Sequence, residues 1–114
     1  ELTDCDDAEL VIVAYGSTAR IAKTAITQLR EEGLRVGLLR PISLWPFPVK
    51  AFEGIIPTVK SFLTVEMSAG QMVEDVRLTV NGRKPVHFYG RMGGIVPTPE
   101  EIAAQVREIL GGAK

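Results

Sequence analysis

The residues of this 114-residue chain that could do chemistry stand at the ends of apolar runs. The first such segment is Gly16-Ser17-Thr18, where small residues with free N–H groups open a helical pattern, and the start of a helix can bind an anion. The segment has neither the Gly-x-Gly-x-x-Gly spacing of dinucleotide sites nor the Gly-Lys-Ser/Thr of a nucleoside triphosphate loop. Gly16, Ser17 and Thr18 are therefore candidate anion or cofactor ligands. The alternative, which their types favour, is a tight turn capped by a hydroxyl.

Ionisable residues accompany the later apolar runs. His87 is the only histidine and lies within an apolar run, so we expect it to pack in the core or on a sheet face. It has no second histidine or cysteine nearby to complete a metal site or a catalytic triad. Glu66 ends another run and could form an acid–base pair with Glu74 or Asp75, although solvated helix charges are the usual role of such residues. Arg91 suits a phosphate or carboxylate ligand, or an acidic neighbour across an interface. We therefore expect no catalytic residue and no metal site in this chain.

Two loop segments have the composition of a protein interface. Residues 41–48 read Pro-Ile-Ser-Leu-Trp-Pro-Phe-Pro, and large apolar side chains held between prolines suit contact with another domain or subunit. Local packing under the edge of a sheet is the alternative. Residues 91–97 form a second, half-apolar loop with one charge. The interface candidates are Leu44, Trp45, Phe47, Glu66, Arg91 and Met92.

The composition is that of one soluble globular domain, with 46% hydrophobic and 24% charged residues. The chain has 13 basic and 14 acidic residues, so its net charge is −1. This charge gives no positive field that would attract nucleic acid or anionic lipid. No apolar run reaches ~18 residues, so we expect no membrane span and a cytoplasmic protein. The single cysteine, Cys5, excludes an internal disulfide and a four-thiolate iron–sulfur or zinc site within this chain.

Residues 1–8 differ in character from the rest of the chain. They are acidic and polar, without the cationic and apolar regions of a signal peptide. We therefore expect residues 1–8 to be a linker from a preceding domain and residues 9–114 to be the domain that follows. The chain would then be a piece of a longer polypeptide, cut near a domain boundary.

Strands and helices alternate along residues 9–114. Continuous apolar runs rich in β-branched residues are typical of strands covered on both faces. They predict four strands, at Leu10–Tyr15, Arg35–Leu39, Phe62–Glu66 and Val86–Tyr89. Apolar residues at helical spacing follow each strand. The four predicted helices end at Gly33, near Ile56, at Asn81-Gly82 and at Gly111-Gly112.

The last predicted helix has the clearest start signal, with Thr98 as N-cap, Pro99 at the first helical position and Glu101 completing a capping box. The alternation predicts a three-layer α/β/α fold with a parallel sheet in strand order 2-1-3-4, because the connections are short enough for right-handed crossovers. Ligands and partners of such sheets meet the loops after the carboxyl ends of the strands. This edge is therefore the predicted functional site.

Three segments together resemble one family. They are VIVAYGSTARIAKTAITQLREEGLRVGLLRPISLWPFP, TVEMSAGQMVEDVRLTVNG and VHFYGRMGGIVPTPEEI. They look like the C-terminal domain of the alpha-type subunit of 2-oxoacid:ferredoxin oxidoreductases, which is similar to the transketolase C-terminal domain. Residues 66–75 and the Gly-Arg-x-Gly-Gly segment most resemble the type that uses 2-ketoisovalerate (3-methyl-2-oxobutanoate), with the pyruvate and 2-oxoglutarate types left open.

The resemblance implies an enzyme complex in which this domain has an assembly role. The complex would convert a 2-oxoacid and coenzyme A to acyl-CoA and carbon dioxide and pass the electrons to ferredoxin. Thiamine diphosphate, Mg²⁺, iron–sulfur clusters and coenzyme A are expected elsewhere in the complex, on partner subunits, with no cofactor bound by this domain. The isolated fragment is expected to be inactive. The family also carries an antiparallel edge strand ahead of Leu10, of which this chain holds only part.

Two other functions remain as alternatives from the residues alone. The first is a free-standing flavodoxin-like module that holds a flavin phosphate or another anion on residues 16–18. The second is a regulatory module that binds a small anion. A yellow purified protein would favour the first, and a thermal shift that depends on anions would favour the second.

Overall fold

The computed structural model describes residues 2–3, 7–14, 17–40, 49–57, 59–66, 71–80, 84–90 and 98–112. Strands and helices alternate through most of these ranges. The strands are β1 (Leu2–Thr3), β2 (Leu10–Ala14), β3 (Val36–Leu39), β4 (Ser61–Glu66) and β5 (Val86–Gly90). The helices are α1 (Ser17–Glu31), α2 (Val49–Ile55), α3 (Gln71–Val80) and α4 (Pro99–Gly112).

The strands form one sheet in the order β1-β3-β2-β4-β5. Strands β3, β2, β4 and β5 run parallel, with Leu10 opposite Val36 on one side and opposite Ser61 on the other. The four strands predicted from the sequence are β2, β3, β4 and β5 in chain order. Their order in the sheet, β3-β2-β4-β5, confirms the predicted parallel sheet with strand order 2-1-3-4. Strand β1 is added at the outer side of β3 and runs antiparallel to it.

The hydrophobic core is divided by the sheet into two clusters. All residues of β2 and β3 are buried, which explains why these strands read as unbroken apolar runs. On one face, Ile12, Leu38 and Leu63 pack against α1 and α4. On the other face, Val13 and Phe62 pack against α2 and α3. The three-layer α/β/α arrangement follows directly from these two packed faces.

Helix α1 ends in the cap that its sequence predicts. Gly33 has a φ of 91°, a conformation that residues with a side chain rarely adopt. The Gly33 N–H donates to the Arg30 carbonyl at 3.0 Å, and the Leu34 N–H donates to the Leu29 carbonyl at 3.1 Å. This pair of bonds is the Schellman motif, which satisfies carbonyl groups that the end of the helix leaves open.

Residues 2–3, within the segment predicted as a linker, pair antiparallel with Leu38 and Leu39 of β3 and form part of the edge strand that the resemblance implies ahead of Leu10. Helix α4 runs through Gly112 and so includes both glycines at which its end was predicted. The predicted opening of the second helix, at residues 45–48, lies outside the described residues. Among the helices that are described, none has the length and apolar character needed to cross a membrane.

Candidate functional site

The carboxyl ends of the four parallel strands lie at one edge of the sheet. Register places Val13 of β2 beside Leu39 of β3, and Ala14 of β2 beside Val65 of β4. Glu66 and Gly90, the last residues of β4 and β5, are also opposite each other. The segments that follow these strands therefore leave the sheet from neighbouring positions. This edge is the carboxyl edge of the sheet.

The first candidate segment lies between β2 and α1. Ser17 and Thr18 are the first two residues of α1, and Gly16 lies outside the described residues. The side chain of Thr18 is buried, with 3% of the residue exposed. Its hydroxyl is therefore placed within the domain rather than on an open phosphate-binding surface. The backbone N–H groups of the first turn remain the feature of this segment that suits an anion.

Of the interface candidates, the structure describes one, and only by its backbone. Glu66 ends β4 at the carboxyl edge, as predicted. The remaining candidates lie in segments 41–48 and 91–97, outside the described residues. Segment 41–48 follows β3 after Arg40, and segment 91–97 directly follows β5. The described ends of the strands thus bring the starting points of both predicted interface loops to the same edge.

A hydrogen-bonded group at the start of α4 ties this helix to β5. The Thr98 N–H donates to Glu101 Oε1 at 2.9 Å, and the Glu101 N–H donates to Thr98 Oγ1 at 3.2 Å, which is the predicted capping box. The Tyr89 hydroxyl donates to Glu101 Oε2 at 2.7 Å. The sequence shows the capping box but not the bond from Tyr89, because that bond depends on how β5 meets α4.

The opposite edge of the sheet is held by ion pairs. Arg30 Nη2 lies 2.8 Å from Asp7 Oδ1, and Arg30 Nε donates to the Val36 carbonyl at 2.9 Å. Arg35 Nη2 lies 2.6 Å from Glu9 Oε1. These contacts join the segment before β2 to the end of α1 and to the start of β3. No sequence pattern indicated the two ion pairs, since Arg30 and Asp7 are 23 positions apart and Arg35 and Glu9 are 26 apart.

These ion pairs change the acidity of the groups that form them. The hydrogen bond from Arg30 holds the pKa of Asp7 below its usual range, and the bond from Arg35 does the same to the pKa of Glu9. Arg107 of α4 binds Glu32, just beyond α1, through two of its nitrogens and lowers the pKa of that carboxyl. Each pairing favours the ionised carboxylate in the folded state.

His87 is on a sheet face but is not buried. It is exposed on the outermost parallel strand, where it lines a cleft of about 570 Å³ with Lys60 and with Glu108, Ile109 and Leu110 of α4. Of the two expected positions, core or sheet face, the structure has the sheet face, because β5 is the outermost described strand on its side of the sheet. Among the described residues that line the cleft, no three His, Cys, Asp or Glu side chains could hold a metal ion together.

The residues of this chain do not fit a four-thiolate iron–sulfur cluster, which is one of the cofactors that the resemblance places in the complex. The chain has a single cysteine, and a cubane iron–sulfur cluster takes four thiolates. Across the described ranges, no three His, Cys, Asp or Glu side chains come together as metal ligands.

Comparison with protein families gives a match over most of the chain. Residues 8–102 match the family described as pyruvate:ferredoxin oxidoreductase core domain II. The ketoisovalerate oxidoreductase subunit VorB of Methanothermobacter marburgensis is 43% identical over 106 residues, which are 93% of this chain and 30% of that subunit. The chain therefore spans less than a third of the length of this relative.

Solved structures share the fold. The 2-oxoglutarate:ferredoxin oxidoreductase from Magnetococcus marinus, solved with 2-oxoglutarate, coenzyme A and succinyl-CoA bound, superposes with a TM-score of 0.81 at 29% identity, over 95% of this chain and 19% of that one. A split-gene transketolase, solved as an inactive beta4 tetramer, gives a TM-score of 0.80 at 19% identity, over 93% of this chain and 39% of that one. The second likeness shows the fold alone and confirms the predicted transketolase-like architecture.

Proposed function

Because the chain belongs to the family of pyruvate:ferredoxin oxidoreductase core domain II, we propose that it is an assembly domain in a thiamine diphosphate-dependent 2-oxoacid:ferredoxin oxidoreductase. The observation that carries the proposal is the continuous match over residues 8–102. The reaction oxidises the 2-oxoacid by two electrons. Carbon dioxide leaves, the acyl group is transferred to the thiol of coenzyme A, and two ferredoxins each accept one electron.

The proposed substrate is the branched 2-oxoacid 3-methyl-2-oxobutanoate. It is supported by the higher identity to the ketoisovalerate subunit, 43%, than to the solved 2-oxoglutarate enzyme, 29%. A branched apolar side chain and a second carboxylate need binding pockets of opposite character. We place that pocket, the cofactors and the reacting atoms outside this domain.

The proposed contribution of this domain is to hold other parts of the complex against its carboxyl edge. Supporting this role, the parallel register aligns the ends of β4 and β5, so that the segments with Glu66 and Arg91 start beside each other. The proposed partners are the subunits that bind thiamine diphosphate and iron–sulfur clusters, with ferredoxin reached through the complex in the cytoplasm. Leu44, Trp45, Phe47 and Met92 would supply apolar contact area at this interface.

The test is assembly and turnover of the full-length chain co-expressed anaerobically with the other subunits of its complex. The purified complex is assayed for viologen reduction with coenzyme A and a panel that contains 3-methyl-2-oxobutanoate, pyruvate and 2-oxoglutarate. We expect activity that requires coenzyme A, with the highest kcat/KM for 3-methyl-2-oxobutanoate. The isolated 114-residue chain, as control, is expected to reduce no dye.

The outcomes separate the parts of the proposal. A full-length chain that neither assembles nor supports turnover contradicts the assembly function. A complex that prefers 2-oxoglutarate or pyruvate leaves the assembly function intact and contradicts only the substrate. Dye reduction by the isolated chain would place redox chemistry in this domain and overturn its non-catalytic role.

A further inference from the structure

The cleft that His87 lines has its floor on β4 and β5. His87 is opposite Leu63 in register, and Leu63 belongs to the core cluster under α1 and α4. Because paired residues of neighbouring strands point to the same face of a sheet, His87 points toward the layer of α1 and α4. Ser61 is two residues before Leu63 and shares this face, and Lys60, which precedes it, also lines the cleft. Lys60 and His87 therefore border the cleft from the sheet side.

Helix α4 supplies the opposite wall. Gln105, Glu108 and Ile109 line the cleft and are spaced three and four positions apart, which places them on one side of the helix. Ile109 and Leu110 also pack against the core cluster, so the apolar part of this wall is held in place. The last turn of α4 contains no basic residue, and the carbonyl groups at the end of a helix carry partial negative charge. The helix side of the cleft therefore favours a cation.

The charged groups of the cleft are not used by the fold. Asp7, Glu9 and Glu32 each pair with an arginine. Within the part of the chain that the structure describes, Glu108 forms no hydrogen bond or ion pair of this kind. The ammonium group of Lys60 lowers the pKa of Glu9 through its charge, without a side-chain hydrogen bond to any described residue. One wall of the cleft thus offers a carboxylate and the other an ammonium group, with apolar surface between them.

We propose that this cleft binds a free α-amino acid with an aliphatic side chain. The ammonium group of the ligand meets Glu108 and the end of α4, its carboxylate meets Lys60 and His87, and its side chain packs against Ile109. A simple carboxylic acid or amine would satisfy only one of the two walls. The volume of about 570 Å³ suits a small-molecule site, since such sites measure about 300–1,000 Å³.

The proposed site is separate from the carboxyl edge. Helix α4 starts beside the carboxyl end of β5, where Glu101 accepts the bond from Tyr89, and the cleft lies at the far end of the same helix. Lys60 and Pro85, which precede β4 and β5, mark the amino edge of the sheet there. The inference therefore does not depend on the proposed assembly function.

The test titrates L-leucine into the full-length chain by isothermal titration calorimetry and follows the melting temperature. Three analogues each lack one feature: 4-methylpentanoate the ammonium group, 3-methylbutylamine the carboxylate, and L-alanine most of the side chain. We expect L-leucine to bind with a dissociation constant of about 1 mM or lower. It should raise the melting temperature, because a ligand of the native state stabilises it. Each analogue should bind at least about tenfold more weakly.

Two pairs of variants locate the binding site. Glu108→Gln is compared with Glu100→Gln in the first turn of the same helix, and Lys60→Gln with Lys23→Gln on α1. All four side chains are exposed, so the variants should fold. Glu108→Gln and Lys60→Gln should each weaken the binding of L-leucine about tenfold, whereas the two control variants should change it less than about twofold.

Three results would overturn the inference. The first is the absence of binding at L-leucine concentrations up to about 10 mM. The second is equal affinity for L-leucine and 4-methylpentanoate, which would show that the ammonium group is not recognised. The third is an equal effect of Glu108→Gln and Glu100→Gln, which would place the bound leucine elsewhere. Because binding is measured without turnover or partner subunits, failure of the proposed assembly function would leave these results unaffected.

Discussion

At the scale of single residues, the carboxylates at the two edges of the sheet have different bonding partners. Glu101, at the carboxyl edge, accepts bonds from a tyrosine and from a helix terminus. Asp7 and Glu9, at the opposite edge, pair with arginines that are themselves part of the fold. The first contact joins β5 to the start of α4, whereas the others fasten the chain before β2.

Two leucines allow a matched test of the core. Leu63 is fully buried in the centre of β4, and Leu78 on α3 is 77% exposed. Leu63→Ala should lower the free energy of unfolding by about 2–5 kcal/mol, because it removes buried methyl groups and leaves a cavity. Leu78→Ala should change it by less than about 0.5 kcal/mol. Urea unfolding followed by circular dichroism measures both, and equal losses would contradict the described core.

At the scale of elements, two glycines should respond with opposite sign to the same substitution. Gly33→Ala places a side chain at a φ of 91° and should cost about 1–2 kcal/mol of unfolding free energy. Gly54 lies within α2, and an added Cβ would meet no heavy atom within 4 Å. Gly54→Ala should therefore stabilise the domain by about 0.5–1 kcal/mol through helix propensity. Thermal melts of the two variants test the prediction, and a shift of the same sign in both would contradict it.

The elements themselves were predictable where a local pattern determines them. Strands β2 and β3 are buried along their whole length, so their runs of Val, Ile and Leu carry the signal in the sequence. The caps at Gly33 and Thr98 are equally local. Strand β1 was not predicted from residue patterns, because two residues become a strand only where the edge of β3 offers partners.

At the scale of the whole molecule, the ion pairs opposite the carboxyl edge should make stability depend on acid. The pKa values of Asp7, Glu9 and Glu32 are lowered in the folded protein by bonds from Arg30, Arg35 and Arg107, respectively. Their contribution is present above the unfolded pKa values of roughly 4 and is lost as the pH falls through the lowered folded values. We expect the urea concentration at the unfolding midpoint to decrease as the pH is lowered from about 5 to about 3.

A triple variant, Asp7→Asn with Glu9→Gln and Glu32→Gln, provides the control. It keeps the size of each side chain and removes the three charges, so its urea midpoint should fall less over the same pH interval than that of the parent. High salt should reduce the difference in urea midpoint between the parent and the triple variant at neutral pH, since the ion pairs are exposed to solvent and salt screens them. Identical pH profiles would show that other carboxylates control acid unfolding.

The location of the candidate site at the carboxyl edge was predictable from the sequence, but the side-chain contacts near it were not. Parallel topology alone puts Glu66 and the residue before Arg91 at one edge, and the structure places Glu66 and Gly90 opposite each other there. The bond from Tyr89 to Glu101 and the exposure of His87 both depend on which strand is outermost and on how α4 crosses it. Such tertiary facts have no signature in a single sequence.

The central position of β2 has a consequence for how the protein is made. Strand β2 leaves the ribosome before both of its neighbours, and its second neighbour, β4, begins only at Ser61. The cluster under α1 stays open still longer, because Ile102, Ala103 and Val106 of α4 complete it. The apolar surface under α1 therefore stays partly exposed in the nascent chain until translation of this domain is nearly complete. During this interval the chain presents the largest apolar area to chaperones that bind such surfaces.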